Sequence, residues 1–407
     1  MKRSKFAVIL GMILLITVFA SACGGHKDVT VDEVIDLSDI DPAEIDDVTM
    51  QGLTEEMLTT MSLEDKVGQL FIVSTDSLDY NGAQSMTDQS KDRLEKYHPG
   101  GIIFFGFNIE SRDQITSFID DMKKTENIPM FFAVDEEGGD VARIARTKGM
   151  GTTAFPPMSE IGASGDPAQA RKVGETIGAE IRTLGFNLDF APVADITTNE
   201  ENKEIGNRSF GNDADLVSDM VSEEVQGLQS QRVSATLKHF PGQGDSGEDT
   251  HKGAVELETT IDRLRSVEFK PFEAGIEAGA DCVMVSHVSV KAVTGQEIPA
   301  SLSKLIVSDI LRDELGFDRI VITDAMNMKG ITKFYDPDVA AIMAIQSGCD
   351  IVLMPDDFIE AYEGVLEAVK EGTLSEEQID RAVSRILAVK IRRSVCPVPE
   401  GETVLDQ

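Results

Sequence analysis

Eight short apolar runs recur along this chain with helix-length stretches between them, a spacing that restricts the fold to helices laid against a parallel sheet. The runs cover residues 69–73, 101–105, 130–134, 187–191, 234–237, 281–285, 319–323 and 350–353. Most are rich in Val, Ile or Phe and too short for a buried helix, so each reads as a strand. Helical spacing marks 166–184, 213–231 and 260–279, the last ending on Gly279 as helices commonly do. Asp135, Asp195, Lys238, His239, His287 and Asp324 fall at or just past the carboxyl ends of the strands. A closed barrel and an open doubly wound sheet both gather ligands at that end, and periodicity alone does not separate them.

The 407 residues suit one such domain, since the final helical stretch, 375–393, leaves only a short tail to Gln407. The net charge of -35, with no cluster of Lys and Arg, excludes nucleic acid and anionic membrane surfaces as partners, and the acidic surface serves solubility. At the amino end Lys2, Arg3 and Lys5 precede an apolar run, 6–19, and then Ala20-Ser21-Ala22-Cys23. This is the layout of an export signal, shorter than the roughly 20 residues of a membrane span. Ala20-x-Ala22 suits ordinary cleavage, but a cysteine directly after small residues resembles a bacterial lipobox. That resemblance implies removal of 1–22, acylation of Cys23 and a membrane lipoprotein facing outward. Residues 23–50, dense in Asp and Glu, read as an acidic tether, 51–395 as the barrel domain and 396–407 as a tail. Cys282, Cys349 and Cys396 read as free buried thiols.

The densest chemistry lies in the run from Lys238-His239-Phe240-Pro241-Gly242-Gln243-Gly244 to Asp249-Thr250-His251. Lys238 and His239 stand at a strand end, glycines open a turn, and Asp249 is spaced to hold the His251 imidazole as a proton shuttle. Ile320-Val321-Ile322-Thr323-Asp324-Ala325-Met326 ends an apolar strand on a carboxylate. Asp135-Glu136-Glu137-Gly138-Gly139-Asp140-Val141-Ala142-Arg143 and Glu204-Ile205-Gly206-Asn207-Arg208 place further charges after strands. Together these segments resemble glycoside hydrolase family three, in particular its β-N-acetylhexosaminidase branch, over about residues 62–393. The sequence departs from the family at Gln243, where many relatives carry histidine, and at Asp140, where arginine is usual.

The resemblance implies a single TIM-like (β/α)8 barrel, irregular strands allowed, and assigns roles. Asp324 is the nucleophile, and His251, oriented by Asp249, is the acid/base. Asp135, Arg143, Arg208, Lys238 and His239 bind the sugar, although Arg208 could instead only pair with a barrel carboxylate. His287 reads as a satisfied core histidine. Cations near Asp324 are expected to keep it ionised. With 5 histidines, no His-Glu-x-x-His and no Cys-x-x-Cys, no metal site is expected, and Gly138-Gly139 completes no dinucleotide fingerprint, so no cofactor is expected either. The expected activity is that of a monomeric, retaining exo-β-N-acetylglucosaminidase acting on muropeptides or chitooligosaccharides through a glycosyl-aspartate. A β-glucosidase of the same family and a surface lipoprotein that binds sugars without cutting them are the rivals.

Overall fold

All eight expected strands form in the computed structural model, whose described residues are 34–36, 40–125, 128–247, 253, 255–398 and 402–404. They are β1 (Phe71–Ser74), β2 (Gly101–Phe104), β3 (Phe131–Val134), β4 (Leu188–Asp189), β5 (Ser234–Phe240), β6 (Cys282–Val285), β7 (Ile320–Thr323) and β8 (Val352–Leu353). Each pairs in parallel with the next, from β1 to β7. Strand β8 lies beside β1, and a parallel bridge from Ile322 to Ile351 joins β7 to the chain entering β8. The ring closes, so the fold is a (β/α)8 barrel and not a doubly wound sheet.

At their carboxyl ends two strands differ from the sequence reading by more than one residue. Strand β5 runs on to Phe240 because its last residues keep ladder partners: Ala194 donates to the Lys238 carbonyl and Ser286 to that of Phe240. Strand β4 shrinks to two residues, with cis-Pro192 following shortly after. The long helices match their expected spans: Pro167–Thr183 starts on the Asp166 cap, Ala214–Ser230 on Asp213, and Glu376–Arg392 on a Ser375/Gln378 capping box. The stretch expected as one helix over 260–279 contains a wide π turn, Leu264–Glu268, before Phe269–Glu277. Helices Pro167–Thr183 and Ala214–Ser230 touch backbone to backbone. A Cβ at Gly174 would stand 2.5 Å from the Glu224 carbonyl oxygen, and one at Gly227 2.5 Å from that of Arg171, so only glycine fits at either position.

Phenylalanines join the barrel wall to its helices: Phe104 meets Phe118 and Phe186 edge-on at 5.7 and 5.5 Å, and Phe240 packs against Phe269 and Phe272. Each such ring contributes about 1.5–3 kcal/mol by leaving water. The amino-terminal end of the barrel carries buried ion pairs, Asp281 with Arg319 and Arg393, and Asp350 with Arg312 and Arg385. Charges at this end serve stability, because barrel chemistry sits at the other.

The folded domain begins before residue 51. Asp46 caps the helix Asp47–Thr59, and Ile45 and Met50 are buried, so 40–50 belongs to the domain and not to the tether. Val34–Asp36 pairs antiparallel with Glu402–Val404. Residues 1–22, expected to be an export signal, and Cys23 lie outside the described residues.

Candidate active site

At the carboxyl ends of β3, β4 and β5 a nest of opposite charges forms. Lys238, only 2% exposed within β5, directs its ammonium to Asp135 Oδ1 at 2.8 Å and Glu137 Oε1 at 2.6 Å. Arg208, on the loop after β4, holds Glu137 with two parallel bonds, Nε to Oε2 at 2.9 Å and Nη2 to Oε1 at 2.8 Å. Arg143 reaches Asp135 Oδ2 at 3.6 Å. A buried charge persists only when paired, and here two carboxylates meet three cations. Burial alone would raise the Asp135 and Glu137 carboxyls, but Lys238 with Arg143, and Arg208 with Lys238, hold them below their ordinary values. Burial would likewise lower Lys238, and the same carboxylates raise it. The nest is therefore ionised across the neutral range.

Asp195, fully buried beyond β4, fixes the next layer. It accepts from His239 Nδ1 at 2.7 Å, from the His239 amide at 3.1 Å and from the Gln243 amide at 2.8 Å. Its own carbonyl takes the Ser209 hydroxyl at 2.6 Å, which ties the Arg208 loop to the Lys238–Gly244 turn. Nδ1 of His239 thus carries the proton, and Nε2 faces Arg208 Nη2 at 3.5 Å. Asp189, within β4 itself, does similar work, its carboxyl, raised well above the ordinary value by burial, accepting the Glu136 amide at 2.9 Å and setting the turn that carries Asp135 and Glu137. Glu136 points elsewhere. Its oxygens accept the Ile144 and Ala145 amides, and burial outweighs those bonds to push its carboxyl up to about 7.

Asp324 follows β7, four strands round from β3, so it stands across the barrel mouth from Asp135. Its amide donates to the Val285 carbonyl, and its Oδ1 accepts the Ala325 amide at 2.7 Å. Among the described residues no lysine or arginine lies within ion-pair distance of it. Arg143, Arg208 and Lys238 are paired instead with Asp135 and Glu137. His287 is buried, with Nδ1 2.8 Å from the Ser301 hydroxyl, and Nε2 donates to the Ala325 carbonyl at 3.0 Å, which steadies the turn that holds Asp324.

Of the residues singled out in the sequence, Asp135, Arg143, Arg208, Lys238 and His239 come together, and Asp324 opens on the same end of the barrel. Asp249 and His251 lie outside the described residues. Glu137 and Asp195 were visible only as polar residues near strand ends. Nothing in one sequence ranks them above their neighbours until the fold pairs them with Lys238, Arg208 and His239.

A closed parallel barrel whose carboxyl rim carries a buried acid–base nest, with a carboxylate opposite, defines the catalytic-barrel class of protein. The model of the glycosyl hydrolase family 3 N-terminal domain matches residues 62–389, and the chain belongs to that family. A β-hexosaminidase of Stenotrophomonas maltophilia is 35% identical over 290 residues, which cover 69% of this chain and 84% of that protein. β-Hexosaminidase A of Pseudoalteromonas piscicida is 30% identical over 337 residues, covering 76% of this chain but 56% of that one. A solved β-N-acetylglucosaminidase of the family from Paenibacillus sp. FPU-7 superposes with a TM-score of 0.77 at 36% identity, over 85% of this chain and 66% of that one. The chain therefore spans just over half the length of the Pseudoalteromonas protein and about two thirds of the Paenibacillus one. M. tuberculosis LpqI is covered to 97% by 86% of this chain, at 28% identity and a TM-score of 0.71.

Proposed function

We propose that this protein is a retaining exo-β-N-acetylglucosaminidase that removes terminal N-acetylglucosamine from muropeptides or chitooligosaccharides, and that a lipid on Cys23 holds it at the outer face of a membrane. The placement of Asp324 carries the reading: a half-buried carboxylate, one oxygen fixed by a backbone amide, stands across from a nest suited to gripping hydroxyls. The other oxygen attacks the anomeric carbon while the glycosidic oxygen leaves with a proton from the His251 imidazolium, forming a glycosyl ester on Asp324. The neutral imidazole, oriented by Asp249, then takes a proton from water, whose oxygen displaces Asp324 and restores the enzyme. Asp135, Lys238, Arg208, Arg143 and His239 hold the sugar hydroxyls, with Glu137 and Asp195 keeping the cations and the imidazole in place. The names of the β-hexosaminidase relatives support the N-acetylglucosaminide over the glucoside.

A fluorinated N-acetylglucosaminyl fluoride tests this directly. Peptide mass mapping should place the trapped sugar on the peptide containing Asp324, and a label elsewhere removes the nucleophile. Turnover of glucoside chromogens in preference to N-acetylglucosaminides would instead favour the β-glucosidase.

A further inference from the structure

We infer that the barrel mouth is turned away from the bilayer that holds Cys23. The substrates are then glycans free in solution or fixed to a surface opposite, not sugars carried by lipids of the same membrane. This deepens the lipid-anchored glycosidase reading above and rests on it. The chain joins the domain at the end opposite Asp324. Helix Glu376–Arg392 lies across the amino-terminal opening of the barrel: Arg385 pairs with Asp350 at 3.0 Å, Lys390 Nζ donates to Gln69 Oε1 at 2.7 Å, and Arg393, which ends the helix, pairs with Asp281. Those three partners stand just before β8, β1 and β6. Helix Asp47–Thr59 packs along it, with a 2.7 Å bond between the Thr54 and Ser384 hydroxyls and an ion pair from Asp47 to Arg392. Asp41 pairs at 2.7 Å with Arg232, just before β5, and Val34–Asp36 pairs with Glu402–Val404, which lies against helix Asp47–Thr59. These segments ahead of the barrel are held at its base, and Asp324, after β7, opens at the other end.

Chain length decides the orientation. Only residues 24–33 separate Cys23 from Val34, and a segment of that length reaches at most about 40 Å. A compact domain of about 350 residues has a radius of gyration of about 20 Å and is about 50 Å across. Pointing the mouth at the bilayer would lift the base about 50 Å above it, beyond the reach of the tether. With the barrel on its side, the centre of the mouth stands about 25 Å up, out of range of a sugar on a short lipid headgroup. The net charge of -35 adds repulsion from anionic headgroups.

The test uses the lipidated full chain in phosphatidylcholine vesicles, with a β-N-acetylglucosaminide carried on a phospholipid through a short spacer, either in the same vesicles or in separate ones. Cleavage within one membrane should be no faster than cleavage between vesicles, although sharing a surface would otherwise raise the effective concentration. Inserting about thirty Gly and Ser residues between Cys23 and Val34 should raise the same-membrane rate by about tenfold or more and leave hydrolysis of methyl β-N-acetylglucosaminide unchanged. A parent that cleaves sugars of its own membrane about tenfold faster than those of separate vesicles, or an insertion that leaves the same-membrane rate unaltered, overturns the orientation while leaving the glycosidase reading intact. Protein that fails to float with the vesicles removes the anchor, and failure to cleave the methyl glycoside removes the glycosidase; either takes the inference with it.

Discussion

Replacing Glu137 by Gln isolates the energetics of the rim nest. The carboxylate is 2% exposed and receives Lys238 and the Nε and Nη2 groups along one edge of the Arg208 guanidinium within 2.6–2.9 Å. The amide keeps the shape but turns an N–H toward one of those donors, leaving Arg208 without a carboxylate and Lys238 with Asp135 alone. Removing one partner of a buried ion pair costs about 3–5 kcal/mol, more than the pair itself adds, because the stranded cation stays desolvated. For a domain of this length that loss is roughly 4–7 °C in Tm. The pH dependence has a definite sign. Folded Glu137 titrates below the ordinary glutamate value of 4.5, so its contribution is complete above that pH and is lost as pH falls through the folded value. Thermal unfolding followed by circular dichroism should show the gap between Glu137→Gln and the parent constant from pH 6 to 8 and narrowing below about pH 4.5. A Tm drop of less than about 1 °C, or a gap that widens in acid, would falsify the view that Glu137 is the shared counter-ion of the nest.

Two further outcomes follow from the same geometry and chemistry. His251→Ala should slow turnover by about 10²–10⁴-fold on an alkyl N-acetylglucosaminide and much less on an aryl substrate whose leaving group needs no proton; equal losses on both would remove the acid role. Glu136, pushed up to about 7 by burial, favours folding while protonated, so the parent should lose up to about 3 kcal/mol as pH climbs from roughly 4.5 to 7, and Glu136→Gln should flatten that slope in urea titrations across the range. A parallel pH slope in the two proteins would show that Glu136 is ionised throughout.

The eight strands, the long helices and their Asp and Ser caps follow from sequence alone, because apolar periodicity, chain length between runs and cap residues are local properties. The rim position of Asp135, Lys238 and Asp324 is legible for the same reason, since a parallel strand carries its last residues to one common end. Barrel closure was not local: it required the bridge from Ile322 to Ile351 and the pairing of β8 with β1, contacts between residues far apart in the chain. Nor was the sharing of charge. Glu136 and Glu137 are adjacent and chemically alike, yet one is turned onto backbone amides and held near neutrality while the other is clamped by Arg208 and Lys238 and stays ionised. Sequence supplied the groups and the end of the barrel they occupy; tertiary structure decided which carboxylate each cation neutralises, because burial and Coulomb attraction depend on distances that only the closed ring sets.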